Sequence, residues 1–118
     1  MLFWKKTPPP PPSPVYALPE FAPSLLRFDD FIFTFNEPLV CDVSFDEENG
    51  YEIAFPPLFI IGRGESFSEA EMAFSMQFYA AYHKYVISQP KTLSEAGQHF
   101  THRVQDYLRH VFVEMRTA

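Results

Sequence analysis

Residues 40–86 read VCDVSFDEENGYEIAFPPLFIIGRGESFSEAEMAFSMQFYAAYHKYV, and this stretch decides the fold. Cys41, Val43 and Phe45 alternate with Val40, Asp42 and Ser44, and Tyr51, Ile53 and Phe55 alternate with Glu52 and Ala54. A side-chain period of two places each apolar set on one face of a strand. Between the runs, Asp46-Glu47-Glu48-Asn49-Gly50 supplies the glycine that a tight reversal needs, so the pair is expected as a hairpin over one core. Pro56-Pro57 ends the second strand, Phe59-Ile60-Ile61 suits a third, and Gly62-Arg63-Gly64 reads as a turn.

A helix should follow. Ser66-Phe67-Ser68-Glu69 is a capping box, in which the Ser66 hydroxyl accepts from the Glu69 N–H while the Glu69 carboxylate reaches back. The helix is expected to run to about Ile87 with two adjoining apolar stripes, one of Ala70, Phe74, Phe78, Ala81 and Tyr85, the other of Met72, Met76, Tyr79 and Val86. So wide an apolar arc must be covered on two sides. Downstream, Thr92-Leu93-Ser94-Glu95 repeats the capping signature, and Leu93, Ala96, Phe100, Val104, Tyr107 or Leu108, Val111 and Met115 recur at helical spacing. A final helix of roughly 20 residues would supply the second cover, with Gly97 allowing a close helix contact.

Upstream, Phe31, Phe33 and Phe35 alternate with Ile32 and Thr34, and Asn36-Glu37-Pro38 breaks the run. A hairpin between Asp30–Phe35 and Leu39–Phe45 is expected. Residues 1–24, with TPPPPPSP at Thr7–Pro14, read as a proline-rich tail in polyproline II, because proline lacks an N–H and fixes φ. Residues 25–118 then form one α+β domain, a three- or four-stranded antiparallel sheet with two helices packed on one face.

Composition narrows the functional classes. The chain has 118 residues, 14 of them Phe, and a net charge of -6, which disfavours direct nucleic-acid binding because that affinity comes from Lys and Arg neutralising phosphates. Residues 39–75 hold one basic side chain against eight acidic ones, a density that suits docking of a basic partner. A single cysteine excludes an internal disulfide framework and fits a reducing cytoplasm. Lys5-Lys6 and the prolines leave no signal-peptide core after Met1, and no run reaches the length of a membrane span.

Chemistry-bearing residues are few. His99, His102, Asp106 and His110 fall along one side of the expected last helix, where His99, His102 and Asp106 could share a metal, although a helix's polar stripe accounts for the same letters. Asp42 and Glu52 could face each other across the hairpin, but nothing else converges on them as an acid/base pair requires. Cys41 alternates into the apolar face and reads as a small hydrophobe. No phosphate loop, dinucleotide fingerprint or nucleophile elbow occurs, so the reading is non-enzymatic, with no cofactor and no metal.

Two segments carry a family resemblance. Gly50-Tyr51-Glu52-Ile53-Ala54-Phe55-Pro56-Pro57-Leu58 and Gly64-Glu65-Ser66-Phe67-Ser68-Glu69-Ala70 resemble the strand and helix-start motifs of the HicB-like antitoxin family. The resemblance covers about residues 40–87. Members usually add a further strand and often a DNA-binding module; this chain offers a helix instead, with no basic surface. The resemblance implies a truncated ribonuclease H-like sheet that covers a small basic ribonuclease toxin. On that expectation the protein is a cytoplasmic antitoxin or immunity-type inhibitor. Glu47, Glu48, Glu52, Glu65 and Glu69 would make its acidic contact surface, with Phe59 an apolar anchor. The alternatives are a self-associating adaptor recruiting a partner through the proline tail, which deletion of residues 1–14 would expose, and a small metal-dependent hydrolase using the histidines. An edge strand would let two copies pair as a homodimer.

Overall fold

The computed structural model describes residues 18–114, so the proline run and Met115 lie outside the described residues. Two three-stranded antiparallel sheets and two helices make the fold, which is α+β as the sequence predicts. The strands β1 (Leu25–Phe28), β2 (Phe31–Phe35) and β6 (Leu108–Val113) form one sheet in the order β1-β2-β6. The strands β3 (Asp42–Asp46), β4 (Gly50–Phe55) and β5 (Ile60–Gly64) form the other in the order β3-β4-β5. The helix α1 spans Phe67–Tyr82 and continues through a π-helical turn, His83–Ile87, while α2 spans Glu95–Tyr107.

The hairpin of the deciding stretch forms with its expected apolar faces matched, Val43 opposite Ile53 and Phe45 opposite Tyr51. Its three-residue loop closes on Gly50, whose φ of +78° lies in the left-handed region glycine enters without cost. Asp46 completes the turn by accepting from the Glu48 N–H at 2.8 Å and from Asn49 Nδ2 at 3.3 Å. Ser66 caps α1 as predicted, accepting from the Glu69 N–H at 3.1 Å, while the Glu69 carboxylate accepts from the Glu65 N–H at 3.0 Å. Such a cap contributes about 1 kcal/mol.

Three expectations about strands are corrected. Phe31–Phe35 does not pair with Leu39–Phe45; it lies between β1 and β6, and Asn36-Glu37-Pro38 carries the chain from one sheet into the other. The missed partner is Leu25–Phe28, joined to β2 through Asp29-Asp30, with Asp29 at φ +54°, a conformation Asp tolerates better than most residues. Gly62 and Gly64 are strand residues rather than a turn: a Cβ on Gly62 would lie 2.3 Å from the Phe74 backbone nitrogen, so α1 rests directly on β5 there. Finally, α2 stops at Tyr107, and Leu108–Val113 is a strand. Val111-Phe112-Val113 suits a pleated surface, and pairing with β2 outweighs the helical spacing that Leu108 and Val111 also satisfy.

The helix caps and contacts shift accordingly. Ser94, not Thr92, caps α2, accepting from the Gly97 N–H at 3.1 Å. Gly97 does allow a close approach, since a Cβ there would meet the Tyr85 ring at 2.7 Å. With the last helix shortened, Met72 and Met76 of the second stripe stay exposed, while Tyr79 packs on Phe28 and Phe31. The packed body also begins before Leu25: Phe21 meets Phe74 edge-on at 5.5 Å, and the Phe21 and Pro23 carbonyls accept from the Cys41 and Leu39 N–H groups.

Phe33, Phe74, Phe78 and Phe100 are fully buried and knit both sheets to both helices. Cys41 sits at the margin of this core, its Sγ 3.3 Å from the Leu39 carbonyl. Burial, reinforced by the Asp42 charge, pushes its thiol up from 9.0 to about 12. Folding therefore favours the neutral thiol: the contribution is whole below pH 9.0 and is lost as pH rises toward 12. The unfolding free energy from urea denaturation should fall between pH 9 and pH 12 more steeply for the wild type than for Cys41→Ala, by up to roughly a kcal/mol per pH unit. Parallel curves would refute that link.

Candidate protein-binding surface

The hairpin loop and the start of α1 meet at one end of the β3-β4-β5 sheet. Gly50 makes this possible, because a Cβ there would lie 2.4 Å from the Gly64 carbonyl oxygen and 3.1 Å from Glu65 Cα. The loop carrying Glu47 and Glu48 is thereby held against the β5–α1 turn carrying Glu65 and, one helical turn on, Glu69. Glu52 belongs to the same end, in a row with Ser44 and Arg63 across the sheet. Glu47, Glu48, Glu65 and Glu69, which the sequence spreads from position 47 to position 69, are so brought to one end of a rigid element, while Glu52 lies near that end on the sheet face turned away from α1.

Each acid has a definable state. Arg63 donates from both Nε and Nη2 to Glu52 Oε1, at 2.8 Å each, leaving the other Glu52 oxygen for a ligand. The pair is exposed enough to contribute under about 1 kcal/mol to stability, so its main effect is to fix the Glu52 carboxylate in place. Glu65 and Glu69 lie where the amide dipoles of α1 favour negative charge, and the Glu69 carboxylate is tied to the Glu65 N–H. Glu47 and Glu48 are exposed at the loop apex. An open cleft of about 630 Å³ runs beside them, lined in part by Ser44, Asp46, Asn49, Glu52 and Arg63. Arg63 is the single cation in a wall that combines the Phe45 and Tyr51 rings with carboxylate, hydroxyl and amide groups, and the latter can accept hydrogen bonds from guanidinium or ammonium donors.

Phe59 does not join this group. It precedes β5 at the opposite end of that strand, in a left-handed conformation with φ +56°, and stacks on His99 with ring centroids 4.1 Å apart. His99 Nε2 lies 2.8 Å from the Pro57 carbonyl oxygen, so the ring fastens α2 to the β4–β5 connection. Phe59 thus makes a contact within its own chain, away from the acids, while the ring stays largely exposed. Nothing in the local sequence announced that pairing, which joins residues 40 positions apart.

The histidine stripe also separates. His99 is occupied as described, His102 and Asp106 remain on α2, and His110 lies on β6, where its backbone N–H donates to Thr34 Oγ1. Among the described residues no three His, Cys, Asp or Glu side chains gather in a way that could hold a metal ion. Asp42 and Glu52 are not directly opposed, since Asp42 faces Ala54 and Glu52 faces Ser44. No helix of the described residues is long and apolar enough to cross a membrane. Compared with models of protein families, with curated proteins and with solved structures, the chain matches none.

Proposed function

We propose that this protein is a non-enzymatic inhibitor of the antitoxin or immunity type, which binds a basic protein through the acidic end of the β3-β4-β5 sheet. One observation carries the reading: Glu47, Glu48, Glu65 and Glu69 gather at that end, and Glu52, held in place by Arg63, extends the acidic surface round the edge onto the outer face of the sheet. A pre-positioned array of carboxylates presents to a cationic protein the charge pattern that an RNA backbone would. A ribonuclease that grips phosphates with Lys and Arg would therefore be blocked at the surface it uses for substrate. The resemblance of residues 50–70 to HicB-like antitoxins supports the same partner class.

Electrostatic capture of this kind accelerates encounter and weakens with salt. Tagged and expressed in its own cells, the full chain should retain a basic protein whose RNA-cleaving activity reappears on elution with high salt. Glu47→Lys combined with Glu48→Lys should lower recovery at low salt by roughly 10- to 100-fold while leaving the unfolding midpoint unchanged, because both side chains stand clear of the core. Equal recovery from wild type and variant at every salt concentration would remove the proposal.

A further inference from the structure

Phe59 is held in a conformation that the stability of the chain does not explain. The short helical turn Pro56–Leu58 closes on a residue in the left-handed region, and Phe59 takes that position at φ +56°. Glycine or asparagine fills such a site at little cost, whereas a bulky side chain is strained there. The ring is nevertheless 65% exposed, so burial does not offset the strain. What fixes its orientation is His99, stacked on it at 4.1 Å and itself anchored through Nε2 to the Pro57 carbonyl oxygen at 2.8 Å. A large aromatic presented to solvent in one orientation has what a binding anchor requires, because little side-chain freedom remains to be lost when a partner covers it.

Beside this ring lies a groove of about 280 Å³ between the β4–β5 connection, α1 and α2, with Ala80, Ala81, Ala96 and Phe100 among its apolar walls. Lys84 is the single charged residue lining it, since Glu95, next to Ala96 in the chain, lies outside those walls. The Lys84 ammonium sits 5.3 Å from the centroid of the Tyr85 ring, and among the described residues it forms no ion pair. Gln77 adds a side-chain amide that can both donate to and accept from a peptide backbone. We propose that Phe59 and this groove form a second docking surface, whose occupant is a segment of a partner protein carrying an apolar side chain beside a carboxylate.

Charge selects this occupant. Residues 1–17 of the chain itself hold Lys5 and Lys6 and no acid, so they would set cations against Lys84. A wholly apolar occupant would cover the ammonium without a counter-charge, which burial penalises. A segment with one carboxylate neutralises Lys84 while its apolar side chain packs on the Phe59 ring and the alanine floor. Phe59 stands at the opposite end of β5 from Glu65, so this surface does not rest on capture of a basic protein by the glutamates.

Titrating the full chain at low salt with acetyl-Phe-Glu-amide, acetyl-Phe-Gln-amide and acetyl-Phe-Lys-amide, followed by amide chemical shifts, tests the proposal. Shifts should centre on Phe59, Ala80, Lys84 and Ala96, and the Glu peptide should bind at least about fivefold more tightly than the Gln peptide, with the Lys peptide weakest. Lys84→Gln should abolish the preference for Glu. Phe59→Gly should weaken binding at least about tenfold yet hold the urea midpoint near that of the wild type, because glycine enters the left-handed region without strain. Glu47→Lys with Glu48→Lys should leave peptide binding unchanged, which keeps this result separate from capture of a basic protein. Equal binding of the three peptides, shifts centred elsewhere, or a Phe59→Gly chain that binds as before or loses much of its stability would each overturn the proposal. So would the absence of any shift, which would follow if residues 1–17 filled the groove, or shifts at these amides that depend on protein concentration without peptide, which would place a second copy there.

Discussion

Gly62→Ala should cost roughly 3 kcal/mol or more and leave little folded protein at modest urea concentrations. The new methyl would sit 2.3 Å from the Phe74 nitrogen and 2.6 Å from both the Ala70 oxygen and Phe74 Cα, all of them backbone atoms of α1. Backbone cannot rotate aside as a side chain does, so the helix must lift from β5 and release Ala70, Phe74 and Phe78 from the core. Alanine's lower chain entropy in a strand recovers at most about 1 kcal/mol. Gly97→Ala makes the natural control: its methyl would meet only side chains, the Tyr85 ring and Leu93 Cδ2, and alanine's higher helix propensity offsets about 1 kcal/mol. Urea denaturation of the two variants should place Gly97→Ala near the wild type and Gly62→Ala far below it. Similar midpoints would contradict the direct seating of α1 on β5.

Phe78→Ala should be of comparable severity, about 3–5 kcal/mol, as expected for a large ring removed from a site that cannot collapse. Its ring is fully buried and meets Phe33 at 4.9 Å, Phe35 at 5.4 Å and Phe100 at 6.0 Å, so one side chain joins the β1-β2-β6 sheet to α2 through α1. Phe45→Ala removes the same number of atoms from a half-exposed ring and should cost under about 1 kcal/mol. Thermal or urea unfolding of the pair would check this. A loss at Phe78 no larger than at Phe45 would mean that Phe78 does not tie the β1-β2-β6 sheet to α2.

The sequence was most legible where local rules and tertiary packing agree. The β3–β4 hairpin carries its own period and its own turn glycine, and Ser66 with Glu69 caps α1 without help from afar. The errors arose where a distant partner decided the outcome. Leu108 and Val111 satisfy a helical spacing, yet Phe33 and Phe35 draw them into a sheet from more than 70 positions away. The Asp29-Asp30 step between two apolar runs was a readable turn signal, and recognising it would have supplied β2 with its true neighbour. Gly62 and Gly64 looked like turn residues because sequence spacing does not say that a helix will press upon a strand.

At the candidate surface the charges were visible and their convergence was not. Glu47 and Glu48 follow from the hairpin, but the approach of Glu65 depends on Gly50 lying against the Gly64 carbonyl, a contact between two glycines 14 positions apart. Phe59 illustrates the opposite case. It is an exposed aromatic that reads as an anchor for a partner, and its stacking on His99, which places it at the end of β5 away from the acids, was not visible in the sequence.

Hydrogen–deuterium exchange on the complex with the captured basic protein tests the central claim most directly, because it reports where the partner sits without altering any residue. Slowed exchange should fall on residues 47–52 and 63–69, and the protection should vanish as salt dissociates the complex. Protection confined to α2, β6 or the Phe59 end, with the acidic loop exchanging as in the free protein, would contradict the account.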